Sequence, residues 1–230
     1  MSLPLVSNEL DLLHTLVKLD THRKIIELGC GAADMSRKLL DRFPGCELTA
    51  LEVDERQLAK NLLSPLQGLQ FIRAGAQSIP FPSGAFDLAL MLKSLHHVPL
   101  QFMDQALAEV HRVLKPGGLL YVSEPVFAGP LNEVMRLFHD EEQVRAAALR
   151  AIQKAVAGGR WEQLSETLFD VPVYYRDFAD FEARMIGVTY ADHRLDDTTL
   201  QRVQERFAPH MAADGARFVR PMRVNLLRKL

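Results

Sequence analysis

Two glycines lie where a short apolar run gives way to an amphipathic one. Residues 25–33 read Ile-Ile-Glu-Leu-Gly-Cys-Gly-Ala-Ala, a pattern that predicts a strand, a sharp turn and the start of a helix. A side chain at Gly29 or Gly31 would hold a bound molecule away from the backbone. The turn therefore favours a nucleotide that lies across the carboxyl ends of the strands.

The residue at position 34 argues against a dinucleotide in this turn. The dinucleotide-binding pattern has a glycine at its sixth position, and this chain has Asp34 there. A carboxylate at the start of the helix would lie where a pyrophosphate has to bind. We therefore expect a ligand without phosphates, and an oxidoreductase that uses a nicotinamide cofactor is the disfavoured interpretation.

A glutamate ends the second predicted strand. Glu52 stands 21 residues after Gly31, and its carboxylate is placed to accept hydrogen bonds from the two hydroxyls of a ribose. Together with the glycine turn, Glu52 predicts a nucleoside site rather than a purely structural turn.

Short apolar runs alternate with amphipathic ones over the first 125 residues. The expected strands are 24–28, 47–53, 69–73, 86–92 and 119–123, and the expected helices are 33–43, 55–63 and 102–114. This alternation predicts an α/β fold with a largely parallel sheet.

The pattern changes after residue 125. Helices are expected at 131–138, 141–157, 178–188 and 198–211, and strands at 171–175 and 218–227. We expect a single domain over residues 1–230. Its expected parts are an N-terminal helix (1–22), a cofactor-binding core (23–125), a helical lid insertion (126–170) and C-terminal strands and helices that complete the sheet (171–230).

Charge and cysteine content limit the class of partner. The chain has 27 Lys and Arg against 29 Asp and Glu, and two cysteines. Proteins that bind duplex DNA usually carry a basic excess, and few cysteines favour a reducing compartment. We expect a cytoplasmic protein with a small-molecule substrate, with neither DNA nor a membrane as partner. The sequence contains neither a Cys-x-x-Cys nor a His-Glu-x-x-His motif, so we expect no bound metal.

Five segments occur in an order that resembles a known family. They are residues 27–31, 51–54, 78–87, 95–98 and 112–118. The chain resembles the class I S-adenosylmethionine-dependent methyltransferases, in the branch that methylates small molecules, most densely over residues 23–124. The resemblance implies a Rossmann-like fold with a doubly wound, mostly parallel seven-stranded sheet, one edge strand of which is antiparallel. It also implies S-adenosyl-L-methionine as cofactor.

The resemblance assigns one group of residues to the methionine and ribose side of that cofactor. Glu27, Gly29 and Gly31 would line this side, with Cys30 as a small residue inside the same turn. Lys93, after the fourth strand, would face the methionine portion through its backbone carbonyl.

A second group would bind the nucleoside. Glu52 would bind the ribose, Val53 the adenine face, and Ala76 and Gln77 the adenine edge. Gly75 stands where many members have an aspartate that bonds the adenine amino group. Either Gln77 replaces that contact or the affinity for the cofactor is lower.

Three residues are candidates for a general base. Methyl transfer from a sulfonium is an in-line displacement, in which the protein aligns the nucleophile with the methyl group and excludes water. His96 and His97 follow the fourth strand, and an imidazole can accept a proton near neutral pH. Glu124 ends the fifth strand and faces the same crevice. The alternatives are packing or capping by the histidines and bonding of nearby backbone by Glu124.

The expected function is methyl transfer to a small-molecule acceptor by a monomer or homodimer. Two other functions stay open: a cofactor-binding accessory or sensor module without turnover, and an RNA-modifying methyltransferase. Binding of the cofactor without its consumption would favour the accessory or sensor module.

Overall fold

The computed structural model describes residues 3–19, 23–187 and 195–230. The strands in this part of the chain are β1 (Lys24–Leu28), β2 (Glu47–Glu52), β3 (Leu69–Arg73), β4 (Phe86–Leu92), β5 (Leu114–Pro125), β6 (Trp161–Tyr175), β7 (Met211–Ala212) and β8 (Gly215–Lys229).

Eight α-helices accompany these strands within the described ranges. They are α1 (Glu9–Val17), α2 (Asp34–Arg42), α3 (Glu55–Leu62), α4 (Met103–Val113), α5 (Pro130–Met135), α6 (Glu142–Ala157), α7 (Phe178–Met185) and α8 (Asp197–Phe207). None of the described helices is both long enough and apolar enough to span a bilayer.

The sheet follows the strand order β3-β2-β1-β4-β5-β8-β6, and β7 pairs with β8 beside this path. Four neighbouring pairs of strands are parallel: β1 and β2, β1 and β4, β2 and β3, and β4 and β5. β7 and β8 are antiparallel. The prediction of a doubly wound, mostly parallel sheet with an antiparallel edge is confirmed. The sheet has eight strands rather than the expected seven, because the two-residue β7 adds to β8 beside the main path.

The central strands have the composition that this position requires. Ile25, Ile26 and Leu28 of β1 are all buried, because a parallel strand in the middle of such a sheet is covered on both faces. Helix α3 begins where Asp54 accepts hydrogen bonds from the N–H groups of Arg56 and Gln57, a typical N-cap.

Strand β5 begins earlier than the sequence predicts. Leu114 pairs with Phe86 and Leu119 with Leu88, so residues 115–118 of β5 lie opposite one residue of β4. Gly117, at φ +73°, supplies the left-handed conformation that this bulge needs. The glycine-rich segment ends α4 as predicted but lies within the strand rather than before it.

Strand β6 also begins earlier, at Trp161 instead of residue 171. None of the side chains between Trp161 and Phe169 is buried, and β6 lies at the end of the strand order. An exposed strand at the edge of a sheet needs no alternation of apolar residues. Residues 161–170 therefore show no strand periodicity, and their assignment to a helical insertion is wrong.

Several predicted helices extend beyond the observed ones: α5 ends at Met135 rather than at residue 138, and α8 ends at Phe207 rather than at residue 211. Helix α1 occupies Glu9–Val17 of the expected 1–22, and Leu5 before it forms a bridge with Asp170. Helix α7 ends at Met185 rather than at residue 188. Residue 188 and residues 1–2 and 20–22 of the predicted helices lie outside the described residues.

Contacts divide the described chain into two compact units. The first comprises the described parts of residues 8–124, 146–167 and 223–230, and its core includes Ala148 and Ile152 of α6. The second comprises the described parts of residues 1–7, 125–145 and 168–222, and its core includes Leu131 and Val134 of α5. The two helices expected to form one lid thus belong to different cores. The lid and the single domain stay predictions.

Candidate cofactor site

The strand order reverses between β1 and β4. From β1 the chain continues to β2 on one side, whereas from β4 it continues to β5 on the other. Open α/β sheets bind ligands outside the carboxyl ends of the strands at such a point. Gly29 directly follows β1 and Lys93 directly follows β4, so both predicted segments lie at this crevice.

The glycine turn has a left-handed backbone at alternate residues. The φ angle is +72° at Gly29, +54° at Gly31 and +58° at Ala33. The N–H groups of Gly29 and Cys30 both donate to the carbonyl of Leu51 at 2.9 Å, which ties the turn to β2. Ala33 bears the steric cost of this conformation that glycine avoids.

The two glycines are required for different reasons. A Cβ at Gly29 would lie 2.8 Å from the Cβ of Ser94, closer than two carbons can pack. A Cβ at Gly31 would meet no protein atom within 4 Å. Gly29 therefore allows the turn to pack against the end of β4, whereas Gly31 leaves open space above the backbone.

Three backbone donors hold the carboxylate of Glu52. Its Oε2 accepts from the N–H of Gly31 at 2.8 Å, and its Oε1 accepts from Val53 at 2.8 Å and from Asp54 at 2.9 Å. A carboxylate has about four acceptor positions. Glu52 thus fixes the turn and retains one position for a ligand hydroxyl.

Glu27 is a buried acid beneath the turn, with a relative exposure of 3%. It accepts a hydrogen bond from the hydroxyl of Ser36. Burial raises the pKa of Glu27 to about 7, against the opposing effects of Ser36 and the charge of Lys93. The folded chain holds this proton to a higher pH than the unfolded chain does, so the carboxyl's contribution to stability is lost as the pH rises toward 7.

Cys30 is packed rather than reactive. Burial, with the nearby charges of Glu27 and Glu52, raises the pKa of its thiol, which keeps it protonated and a poor nucleophile. The buried Asn61 of α3 donates to the carbonyl of Gly31 at 2.8 Å. Asn61 is not among the predicted site residues, although an asparagine on the inner face of a predicted helix is a recognisable signal.

The adenine side of the predicted site has an exposed apolar residue and a carboxamide. Val53 is 61% exposed and Ala76 is buried. A Cβ at Gly75 would lie 2.5 Å from Oε1 and 2.8 Å from Nε2 of Gln77. The carboxamide of Gln77 therefore occupies the space that a side chain at position 75 would take.

The segment after β4 has a constrained backbone. Lys93 is left-handed at φ +54°, and its N–H donates to the carbonyl of Ser123 at 2.7 Å. Oε1 of Glu124 accepts from the N–H groups of Ser94 at 3.1 Å and Leu95 at 2.8 Å. Glu124 therefore binds nearby backbone, which is the alternative role considered for it above.

The three candidate bases differ in exposure. Nδ1 of His96 pairs with Oε2 of Glu124, and both side chains are 3% exposed. His97 is exposed, and its ring centroid lies 4.1 Å from that of His96. The buried pair holds the turn after β4, and the choice of a base among the three stays a prediction.

A family comparison covers this site. Residues 26–122 match the family model described as a methyltransferase domain, a segment that begins in β1 and ends in β5. It contains the glycine turn, Glu52 and the end of β4. Over this segment the chain is similar to methyltransferase domains.

Individual members of the methyltransferase family match over part of the chain. The sterol 24-C-methyltransferase ERG6B of Gibberella zeae is 29% identical over 106 residues, covering 44% of this chain and 27% of that protein. The ubiquinone/menaquinone biosynthesis C-methyltransferase UbiE of Psychromonas ingrahamii is 32% identical over 125 residues, covering 51% and 48%. The chain thus spans half or less of the length of these two relatives.

The fold of the chain matches that of a solved structure over nearly its whole length. The crystal structure of the YcgJ protein from Bacillus subtilis superposes with a TM-score of 0.67 at 15% identity, covering 96% of this chain and 97% of that one. This likeness concerns the fold.

The site has features that fit a bound nucleoside. Open space lies above Gly31, Glu52 retains an acceptor for a hydroxyl, and Val53 exposes an apolar face. These features are what a ribose and an adenine require.

Proposed function

We propose that the chain transfers the methyl group of S-adenosylmethionine to a small-molecule acceptor. The observation that carries this proposal is the position of the Glu52 carboxylate. It accepts from the N–H of Gly31 at 2.8 Å, beside open space where the strand order reverses between β1 and β4. When bound, the cofactor supplies an electrophilic methyl group on a sulfonium. The chain binds and orients it and excludes water.

The residues divide between the two halves of the cofactor. Glu52 accepts from the ribose, and Val53 with Ala76 packs against the adenine. Glu27 lies in the first unit on the methionine side, where a positively charged amino group favours its ionised form. The backbone carbonyl of Lys93 faces the same side.

Proton removal depends on the acceptor. A nucleophile that is already deprotonated at neutral pH needs alignment alone, and one that carries a proton needs a base. We keep His97, His96 and Glu124 as the candidates, of which His97 is the exposed one.

A second candidate function is a cofactor-binding module without turnover. The engagement of both Glu124 and His96 in holding the turn after β4 favours it, because these groups then serve structure.

Release of S-adenosylhomocysteine separates the two functions. The chain is incubated with S-adenosylmethionine and fractionated metabolite extracts, and S-adenosylhomocysteine is quantified. We expect at least one fraction to raise its release well above that of the Gly31→Val variant. Cofactor binding without release in any fraction would contradict methyl transfer and favour the binding module.

We also propose a cytoplasmic location, a monomeric or homodimeric state, and an acceptor that is neither DNA nor a membrane component. The near balance of 27 basic and 29 acidic residues supports this, as does the low number of cysteines, two in the chain. Light scattering should give the mass of one chain or two, and a larger mass would contradict the oligomeric state.

Gln77 is expected to supply the adenine contact that Gly75 lacks. Its carboxamide can accept from an amino group and donate to a ring nitrogen. Replacing Gln77 with alanine should weaken S-adenosylhomocysteine binding about three- to tenfold, the value of one or two hydrogen bonds. Isothermal titration calorimetry measures the change.

Two further variants make this test specific. Gly75→Asp in the Gln77→Ala background should recover most of the lost affinity, since the new carboxylate enters the space left by the carboxamide. Gln105→Ala removes a hydrogen bond of 2.9 Å to the backbone carbonyl of Gln77 and should bind normally. Unchanged affinity in Gln77→Ala would remove Gln77 from the site.

A further inference from the structure

Two buried serine hydroxyls at the ends of β4 and β5 have no hydrogen-bond partner in the part of the chain that the structure describes. They belong to Ser94, which is 8% exposed, and to Ser123, which is fully buried. Burying a hydroxyl without a partner costs free energy. A buried hydroxyl of this kind either pairs with a bound ligand or serves only to fill space in the core.

The two serines differ in what they face. Oγ of Ser94 lies 3.5 Å from the position that a Cβ at Gly29 would take, so it faces the glycine turn. Ser123 lies within the sheet, in register with Leu92 of β4. Of this pair, Ser94 adjoins the cofactor crevice.

The backbone holds Ser94 in this position. Lys93 before it adopts a left-handed conformation at φ +54°, which a residue with a Cβ adopts at a cost. The buried carboxylate of Glu124 accepts from the N–H groups of Ser94 and Leu95. The hydroxyl is thus aimed at the turn by a conformation that the surrounding contacts enforce.

The chemistry of the cofactor's amino-acid half indicates which of its groups Ser94 contacts. The amino-acid half of S-adenosylmethionine has an ammonium and a carboxylate. Glu27, a buried acid close enough to Lys93 to interact with its charge, is a partner for the ammonium. The carboxylate needs a hydrogen-bond donor, and the hydroxyl of Ser94 has a proton to give.

We propose that Ser94 is a cofactor-binding residue whose hydroxyl donates a hydrogen bond to the carboxylate of the amino-acid half. This inference rests on the proposed function. It assigns Glu124 a positioning role, because Glu124 fixes the backbone that carries the hydroxyl.

The test compares two ligands that differ in that carboxylate. S-adenosylhomocysteine and its decarboxylated analogue are titrated into the wild-type chain and into Ser94→Ala. The variant should bind S-adenosylhomocysteine about tenfold more weakly, as expected for a hydrogen bond to a charged group. Its affinity for the decarboxylated analogue should change less than about twofold, since that ligand lacks the acceptor.

Ser123→Ala is the matched control, because it also removes a buried unpaired hydroxyl. Both variants should melt at or above the wild-type temperature, and Ser123→Ala should bind both ligands normally. Equal affinity of Ser94→Ala and wild type for S-adenosylhomocysteine would overturn the inference, as would an equal loss for both ligands. A wild-type chain that binds neither ligand would instead overturn the proposed function.

Discussion

Replacing Gly31 with valine is expected to abolish measurable binding of S-adenosylhomocysteine. A Cβ at this position meets no protein atom within 4 Å, so the branched side chain projects into the space that the nucleoside needs. Calorimetric titration at up to millimolar ligand measures the loss. The left-handed φ of +54° adds a cost to stability of about 1–2 kcal/mol.

Gly84→Val separates that strain from the loss of the site. Gly84 also has a left-handed φ, +68°, and open space at its Cβ, but it lies in the loop before β4. Gly84→Val should lose similar stability and bind the cofactor normally. Equal affinity losses in the two variants would show that strain, and not occupied space, weakens binding.

Gly29→Ala should act differently from both. Its Cβ would collide with Ser94 at 2.8 Å, so the main effect falls on the packing of the turn and on the melting temperature. Ala33→Gly should be tolerated, because glycine relieves the left-handed strain at φ +58°.

Glu52→Ala is expected to weaken S-adenosylhomocysteine binding by about 2 kcal/mol or more, roughly a 30-fold rise in Kd. The change removes the acceptor for the ribose and also the group that fixes the N–H of Gly31. Two further backbone donors, of Val53 and Asp54, lose their acceptor. The melting temperature should therefore fall as well.

Asp54→Ala provides the control for that loss of stability. Asp54 caps α3 by accepting from the N–H groups of Arg56 and Gln57, and loss of such a cap costs about 1 kcal/mol. Asp54→Ala should melt earlier and bind the cofactor within about twofold of wild type. If Glu52→Ala binds as tightly as this control, Glu52 is a structural acceptor and not a ribose ligand.

Local signals were sufficient for the main features of the site. Gly29 and Gly31 follow the first strand and Glu52 ends the second, and the carboxyl ends of parallel strands share one edge of the sheet. Their proximity could therefore be predicted, and in the structure the N–H of Gly31 donates to Glu52. Their binding of a cofactor stays a prediction.

The long-range contacts of Ser94 and Glu124 could not be predicted from the sequence. The approach of Ser94 to Gly29 depends on the pairing of β1 with β4, between residues more than 60 positions apart. The role of Glu124 likewise depends on the pairing of β4 with β5. A serine or glutamate after a strand gives no local sign of the group that it will face.

The missed strand has a different physical reason. Residues 162–168 of β6 are not buried, so the strand is defined by its backbone pairing rather than by a buried face. The periodicity of apolar residues indicates which face of an element is buried. It cannot reveal a strand that has no buried face.

Calorimetric titration of the wild-type chain with S-adenosylhomocysteine tests whether the glycine turn and Glu52 form a cofactor site. We expect one site per chain with a Kd in the micromolar range, about −8 kcal/mol, and a rise in melting temperature on binding. The absence of both heat and a thermal shift at millimolar ligand would contradict the assignment of the glycine turn and Glu52 as a cofactor site.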